Sequence, residues 1–202
     1  CFLVFVSASD GVFHVKHAAF DVIVVGAGHA GCEAALAAQR SGARVCLVTL
    51  QKSNIGALSC NPAIGGIGKG HLVREIDALD GVMGRMADTA GIQFRLLNRS
   101  KGPAVQGPRA QVDRDRYRCA ISREVAGKVH VQEGEVTGFL SDRDKITGVL
   151  LRDGSEIAAR ATILTTGTFL MGRLHTGHKV SDGGRVGEES SIGLSRELRA
   201  IG

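Results

Sequence analysis

Two glycine-rich stretches carry the residues whose types and spacing could do chemistry. In the first, Gly26-x-Gly28-x-x-Gly31 has the spacing of a dinucleotide-binding turn. Its first glycine permits a tight turn and its second lets backbone N–H groups approach a pyrophosphate. The third allows close helix–strand packing, and the helix N-terminus favours negative charge. The second stretch, SCNPAIGGIGKG at 59–70, sets a thiol (Cys60) and an amine (Lys69) among glycines. A triphosphate loop needs G-x-x-x-x-G-K-[ST]. With the lysine aligned on Lys69, Ala63 stands where the first glycine is required and Gly70 where a hydroxyl should hold magnesium. That chemistry is rejected. What remains is a nucleophile or proton relay at Cys60, its thiolate favoured by Lys69, or a small residue packed in a turn.

A dinucleotide turn works only between a buried strand and a helix. The apolar run Asp21 to Val25 predicts such a strand, and the small residues from about Ala30 to Ser41 predict the helix, closed by Gly42. A second strand, Val45 to Thr49, completes a βαβ unit. The acid that usually ends this strand and holds a ribose is replaced by Thr49; no Asp or Glu lies between Glu33 and Glu75. NAD, NADP and FAD are therefore not separated by this residue. Leu72, Ile76 and Leu79 recur at helical spacing and predict a helix with a second short one behind it. A strand at 92–98, the basic loop RSKGPAVQGPRAQ and a helix over 112–126 follow. Then come a strand and three short strands turning at Asp142–Asp144 and Asp153–Gly154. A final strand, Thr162 to Thr165, runs into Thr166 and Gly167. This order resembles the FAD domains of the glutathione reductase type. It predicts an α/β, Rossmann-like fold with a parallel sheet and an inserted three-stranded β-meander. The domain is expected over 20–202, with an insertion at about 52–126.

Composition narrows the classes. The 28 glycines among 202 residues signal many turns, and one Tyr with no Trp leaves few rings for stacking bases. No apolar run approaches a membrane span, which predicts a soluble chain. Five cysteines with no CxxC argue against a disulfide framework or a cysteine zinc site, and a reducing compartment fits. His175-x-x-His178 lacks a nearby acidic or cysteine partner and reads as two loop histidines, so no metal is expected. Residues 1–19 read as a leader or frame extension, and the abrupt ends suggest a fragment. Without a credible transit peptide the expected location is the cytoplasm, the alternative being mitochondrial. From Arg85 to Lys128 ten Lys or Arg stand against four Asp or Glu, an excess of +6 in a chain of net charge +5. Arg99, Lys101 and Arg109 are candidate phosphate contacts, although a solvated face would show the same mixture of signs.

The blocks GAGHAGCEAA, SCNPAIGGIGKGHLVREIDALDG, AGIQFRLLNRSKGPAVQGPRAQ and GRVGEESSIGLS resemble the MnmG (GidA) family over about residues 20–202. Family members are FAD enzymes that modify the wobble uridine of certain tRNAs, and their chains are much longer. The resemblance implies FAD reduced by NADH, with methylenetetrahydrofolate as the carbon donor to carbon 5 of the uridine. Ammonium or glycine supplies the amine (taurine in mitochondrial relatives). It also implies a homodimer partnered by an MnmE-type GTPase. Carried over by position, Gly26, Ala27, Gly28, His29, Ala30 and Gly31 would hold the FAD pyrophosphate, and Val136 and Ser191 would touch the flavin cofactor further along. Thr49 agrees with the family. Lys69 and Cys60 would lie near the isoalloxazine, and Arg99, Lys101 and Arg109 would face tRNA, Arg109 alternatively turning inward. Glu189 and Ser190 replace two prolines common in relatives. Two other readings compete: a flavin oxidoreductase acting on a small molecule, and an inactive flavin-binding module.

Overall fold

The computed structural model describes residues 19–58, 61–143, 145–167, 173–176, 179–182 and 192–201. The first half runs β1 (Phe20–Val25), α1 (His29–Arg40), β2 (Val45–Thr49), β3 (Ala63–Gly65), α2 (Lys69–Ala78), α3 (Met83–Ala90), β4 (Gly91–Leu97) and β5 (Gly107–Val112). The second runs α4 (Arg114–Ala126), β6 (His130–Glu133), β7 (Val136–Asp142), β8 (Lys145–Leu151), β9 (Glu156–Leu164), β10 (Arg173–Thr176), β11 (Lys179–Asp182) and α5 (Ile192–Ile201).

Because successive strand residues point to opposite faces, the apolar runs of β1 and β2 feed two cores at once. Val24, Val45 and Leu47 pack on one side with Leu36 of α1, Met83 of α3 and Tyr117 and Ile121 of α4. Ile23, Val25, Cys46 and Val48 pack on the other with Val136, Val149 and Leu151 of the meander and Leu194 of α5. Burial on both faces is what a continuous apolar strand in a parallel sheet requires. The sheet has the order β6-β2-β1-β9-β8-β7. β1 pairs in parallel with both β2 and β9, and β2 with β6. The expected α/β architecture with its meander is thus present. Helix α1 stops at Ser41, where Gly42 takes φ +86° and its N–H donates to the Gln39 carbonyl, as a helix-ending glycine does.

Four expectations differ from the structure. The third meander strand and the final apolar strand are one strand: β9 pairs antiparallel with β8 through 156–158 and parallel with β1 beyond. The basic loop contains β5, and the glycine stretch contains β3; with β4 they form a separate sheet of order β3-β5-β4. Leu72 and Leu79 do not face a core: they are 48% and 77% exposed, while Val73 and Ile76 pack inward. His175 lies in β10, not in a loop, whereas His178 and residues 1–18 of the leader 1–19 fall outside the described residues.

One buried acid ties the small sheet's helices to the main sheet. Glu33 of α1 accepts N–H groups from Val82 (2.9 and 3.1 Å) and Met83 (2.7 Å) at the start of α3. Those donors have no partner within their own helix, and the helix dipole favours an anion there. Among the described residues no helix is long and apolar enough to cross a membrane, and no group of three or more His, Cys, Asp or Glu is gathered to hold a metal.

Candidate functional site

The turn between β1 and α1 is shaped by what its glycines lack. Gly26 sits at φ +102°, a conformation side chains disfavour, and a Cβ there would meet the Thr165 carbonyl oxygen at 2.6 Å. At Gly31 a Cβ would fall 1.7 Å from the Gly26 carbonyl oxygen. At Gly28 a Cβ would meet nothing within 4 Å. Two glycines therefore serve packing, and the middle one opens onto free space. Thr165, just past β9, locks the turn from the other side: its Oγ1 lies 2.9 Å from both the Val25 and the Gly26 carbonyl oxygens.

That free space is a cavity of about 260 Å³ across the ends of β1, β2 and β9. Gly26, Ala27, Gly28, Thr49, Val136 and Thr165 are among its walls. Thr49 donates its hydroxyl to the Gln51 carbonyl at 3.2 Å. Glu135 also lines the cavity. One of its carboxylate oxygens meets Arg152 at 2.7 Å, and the other, Oε1, is buried with no hydrogen-bond partner among the described residues. Open space at Gly28, a helix N-terminus and an unsatisfied acceptor beside Val136 suit a dinucleotide. The residues present fit such a group.

A second cavity, of about 300 Å³, adjoins the first turn of α1 and has a different lining: His29, Asn61, Ala63, Gly65, Lys69 and Arg109. Lys69 donates to the Ala63 carbonyl at 3.1 Å. Burial, and then the nearby Arg109 guanidinium, pull its pKa below the ordinary lysine value. The His29 ring stands 5.7 Å from that of Tyr117. Tyr117 is fully buried, its hydroxyl has no hydrogen-bond partner among the described residues, and burial pushes its pKa up. Cys32 is buried in the same core as Tyr117, and Cys46 in the core on the other face of the sheet. Burial, with the Glu33 carboxylate adding to it, pushes Cys32 up to about 12, and burial pushes Cys46 up to about 11.

With this geometry, residues 21–202 match the family described as Glucose inhibited division protein A. The chain belongs to that family. It is 56% identical, over 193 residues, to the tRNA uridine 5-carboxymethylaminomethyl modification enzyme MnmG of Granulibacter bethesdensis, covering 93% of this chain and 31% of the relative. The MnmG of Zymomonas mobilis is 54% identical, with coverage of 90% and 30%. The structure of Aquifex aeolicus GidA superposes with a TM-score of 0.85 at 48% identity, over 90% of this chain and 30% of that one. The chain thus spans about 31% of the length of the relatives it matches.

The structure separates the residues singled out from sequence into three places. Gly26 to Gly28, Thr49 and Val136 line the first cavity. Gly31 is packed behind it, and Ala30 follows His29 in the first turn of α1. His29 itself, with Lys69 and Arg109, lines the second cavity. Arg99 and Lys101 are exposed on the β4–β5 connection and line neither. Cys60 and Ser191 lie outside the described residues. Sequence reasoning passed over Thr165, Glu135 and Asn61. Thr165 was within reach, since a hydroxyl directly after an apolar strand stands at the sheet end where ligands bind.

Proposed function

We propose that this chain forms the FAD-holding part of an enzyme that modifies a uridine of tRNA. The turn carries the flavin side of this reading: Gly31 and Gly26 admit no side chain, while Gly28 opens onto the cavity that Glu135 and Val136 close. Family membership and the names of the bacterial relatives support the tRNA side. The finer reading follows the resemblance: NADH as reductant, methylenetetrahydrofolate as carbon donor, an MnmE-type GTPase as partner, a homodimer and a cytoplasmic setting.

The geometry assigns work to this chain's own groups. FAD, when bound, supplies electron transfer. The N–H groups that open α1 and the bare backbone at Gly28 would receive its pyrophosphate. Val136 and the Glu135 carboxylate would hold the adenosine end. Lys69 stands in a half-buried, polar cavity next to that turn, where its ammonium form would favour an anionic ring or leaving oxygen over a neutral one. Cys60 remains the candidate nucleophile or proton relay.

Gly28→Val tests the flavin reading. Its φ of −70° suits any residue, and the new side chain points into open space, so the fold is expected to persist. After incubation with FAD and desalting, the chain should retain a visible flavin band that the variant loses. A variant that keeps the band, or a wild type that never acquires one, overturns the assignment. A gel shift with tRNA tests the substrate side.

A further inference from the structure

A dinucleotide fold of this kind usually ends its second strand with an acid that holds the adenosine ribose. Here Thr49 stands in that place, and its own hydroxyl donates to the Gln51 carbonyl. The neighbouring strand brings a carboxylate to the same corner. Thr49 is the register partner of Glu133 at the end of β6, and the Gly134 N–H donates to the Thr49 carbonyl at 2.9 Å. That bond holds the residue after it, Glu135, at the end of β2, and both Thr49 and Glu135 line the dinucleotide cavity.

Glu135 is held so that one oxygen is left over. Its side chain is only 10% exposed, and Arg152 grips it twice: the guanidinium meets one carboxylate oxygen at 2.7 Å, and the Arg152 N–H donates to the Glu135 carbonyl at 2.8 Å. The other carboxylate oxygen, Oε1, is shut off from water and has no hydrogen-bond partner among the described residues. A buried acceptor in that state is costly, more so on a charged group. The lining shows what would relieve it. Among the described residues around the cavity Glu135 is the one ionisable group, with no Lys, Arg or His beside it. Such a corner suits a neutral donor and opposes a second negative charge.

We propose that Glu135 does the work of the missing strand-end acid: its carboxylate accepts the 2′-hydroxyl of the adenosine ribose and thereby refuses dinucleotides that carry a 2′-phosphate. This rests on the flavin reading above and deepens it, naming the group that is held and the ligands that are turned away. The acid has moved from the end of β2 to the turn after β6, one hydrogen bond away.

Calorimetric titration of the chain with ADP, 2′-deoxy-ADP and inosine diphosphate tests the contact. Wild type should bind ADP about tenfold or more tighter than 2′-deoxy-ADP, and Glu135→Ala should bind the two alike. A preference for ADP that survives in Glu135→Ala overturns the proposal. The ratio of ADP to inosine diphosphate affinity should be the same in both proteins. If Glu135→Ala erases that ratio instead, the carboxylate holds the adenine amine, and the ribose assignment falls. Selectivity is read with ADP-ribose and its 2′-phosphate. The wild-type preference for ADP-ribose should shrink about tenfold or more in both Glu135→Ala and Glu135→Gln, and an unchanged preference overturns the exclusion. Glu135→Gln keeps an acceptor oxygen, so it should retain part of the preference for ADP over 2′-deoxy-ADP, which a merely structural role would not predict. It also carries the selectivity test should Glu135→Ala fail to fold. A wild type that binds neither FAD nor ADP overturns the flavin reading and this proposal with it. A wild type that retains FAD while Glu135→Ala leaves every preference unchanged overturns this proposal alone.

Discussion

In β2 every residue is buried, whereas in β4 none is. The strands are of similar length, and both follow a helix or turn rich in small residues, yet they serve different ends. Around β1, α1 and β2 the backbone is packed so closely that a single Cβ at Gly31 has no place, and buried donors and acceptors are paired through Thr165 and Glu33. The small sheet turns Ile92 and Phe94 outward, 68% and 59% exposed, and sets arginine against arginine. The first region is optimised for its own fold and leaves one deliberate opening, at Gly28. The second keeps large apolar side chains exposed beside charged ones. Such surface marks interaction, not folding.

If that contrast is sound, substitutions in the first region should act on stability and those in the second on binding. The largest effect is expected from Gly31→Ala. Its Cβ would press on a backbone carbonyl that cannot yield, so the loss should exceed about 4 kcal/mol and show as failure to fold or a collapsed urea midpoint. A variant of near-normal midpoint would break the comparison. Glu33→Ala comes next. It orphans the Val82 and Met83 N–H groups, and a loss of about 2–3 kcal/mol is expected in urea unfolding. Hydrogen exchange would sharpen the point, because faster exchange should appear first in α3, the helix this carboxylate anchors. The smallest effect belongs to the exposed pair Asp21–Arg44 at the start of β1. Hydrogen bonds from Arg44 hold the Asp21 carboxyl below the usual carboxylate range. A folded pKa below the unfolded one gives stability that is present above the unfolded value and is lost as pH falls through the folded one. Asp21→Asn should therefore cost a little stability at neutral pH, and wild type and variant should converge in acid unfolding below about pH 4. The opposite pH trend would refute the assignment.

The contrast also decides what could be read in advance. The unit from Phe20 to Thr49 was legible because its pattern is local: a continuous apolar run, three spaced glycines, then small helical residues. The strands β3 and β5 were not, since AIG and GPRAQV are short, hold glycine or proline, and become strands only by pairing within the small sheet. β9 looked like two strands because the polar Arg160 interrupts its apolar run; the strand stays continuous by changing partners there. The helical spacing of Leu72, Ile76 and Leu79 correctly gave a helix, but of the three only Ile76 packs on the core, for periodicity does not say which side is covered. Of the site, the glycine turn, Thr49 and Val136 were visible by type and spacing. Glu33 was not, because its partners are backbone N–H groups some fifty positions away, with no side-chain signature. The Arg95–Arg109 opposition depends on a register that only the folded sheet reveals.

The long strand β9 has a consequence for how the chain is made. β1 leaves the ribosome well before β9, so one of its two edges waits for that strand, and the bonds that lock the turn after it span 140 positions. At ordinary translation speeds of about 5–20 residues per second, that edge stays open for roughly 7–28 s. Throughout that interval an apolar strand destined for the centre of the sheet presents unpaired backbone to its surroundings. Slowing translation before Leu164 should therefore lower the soluble yield, and a chaperone that shields β1 should restore it.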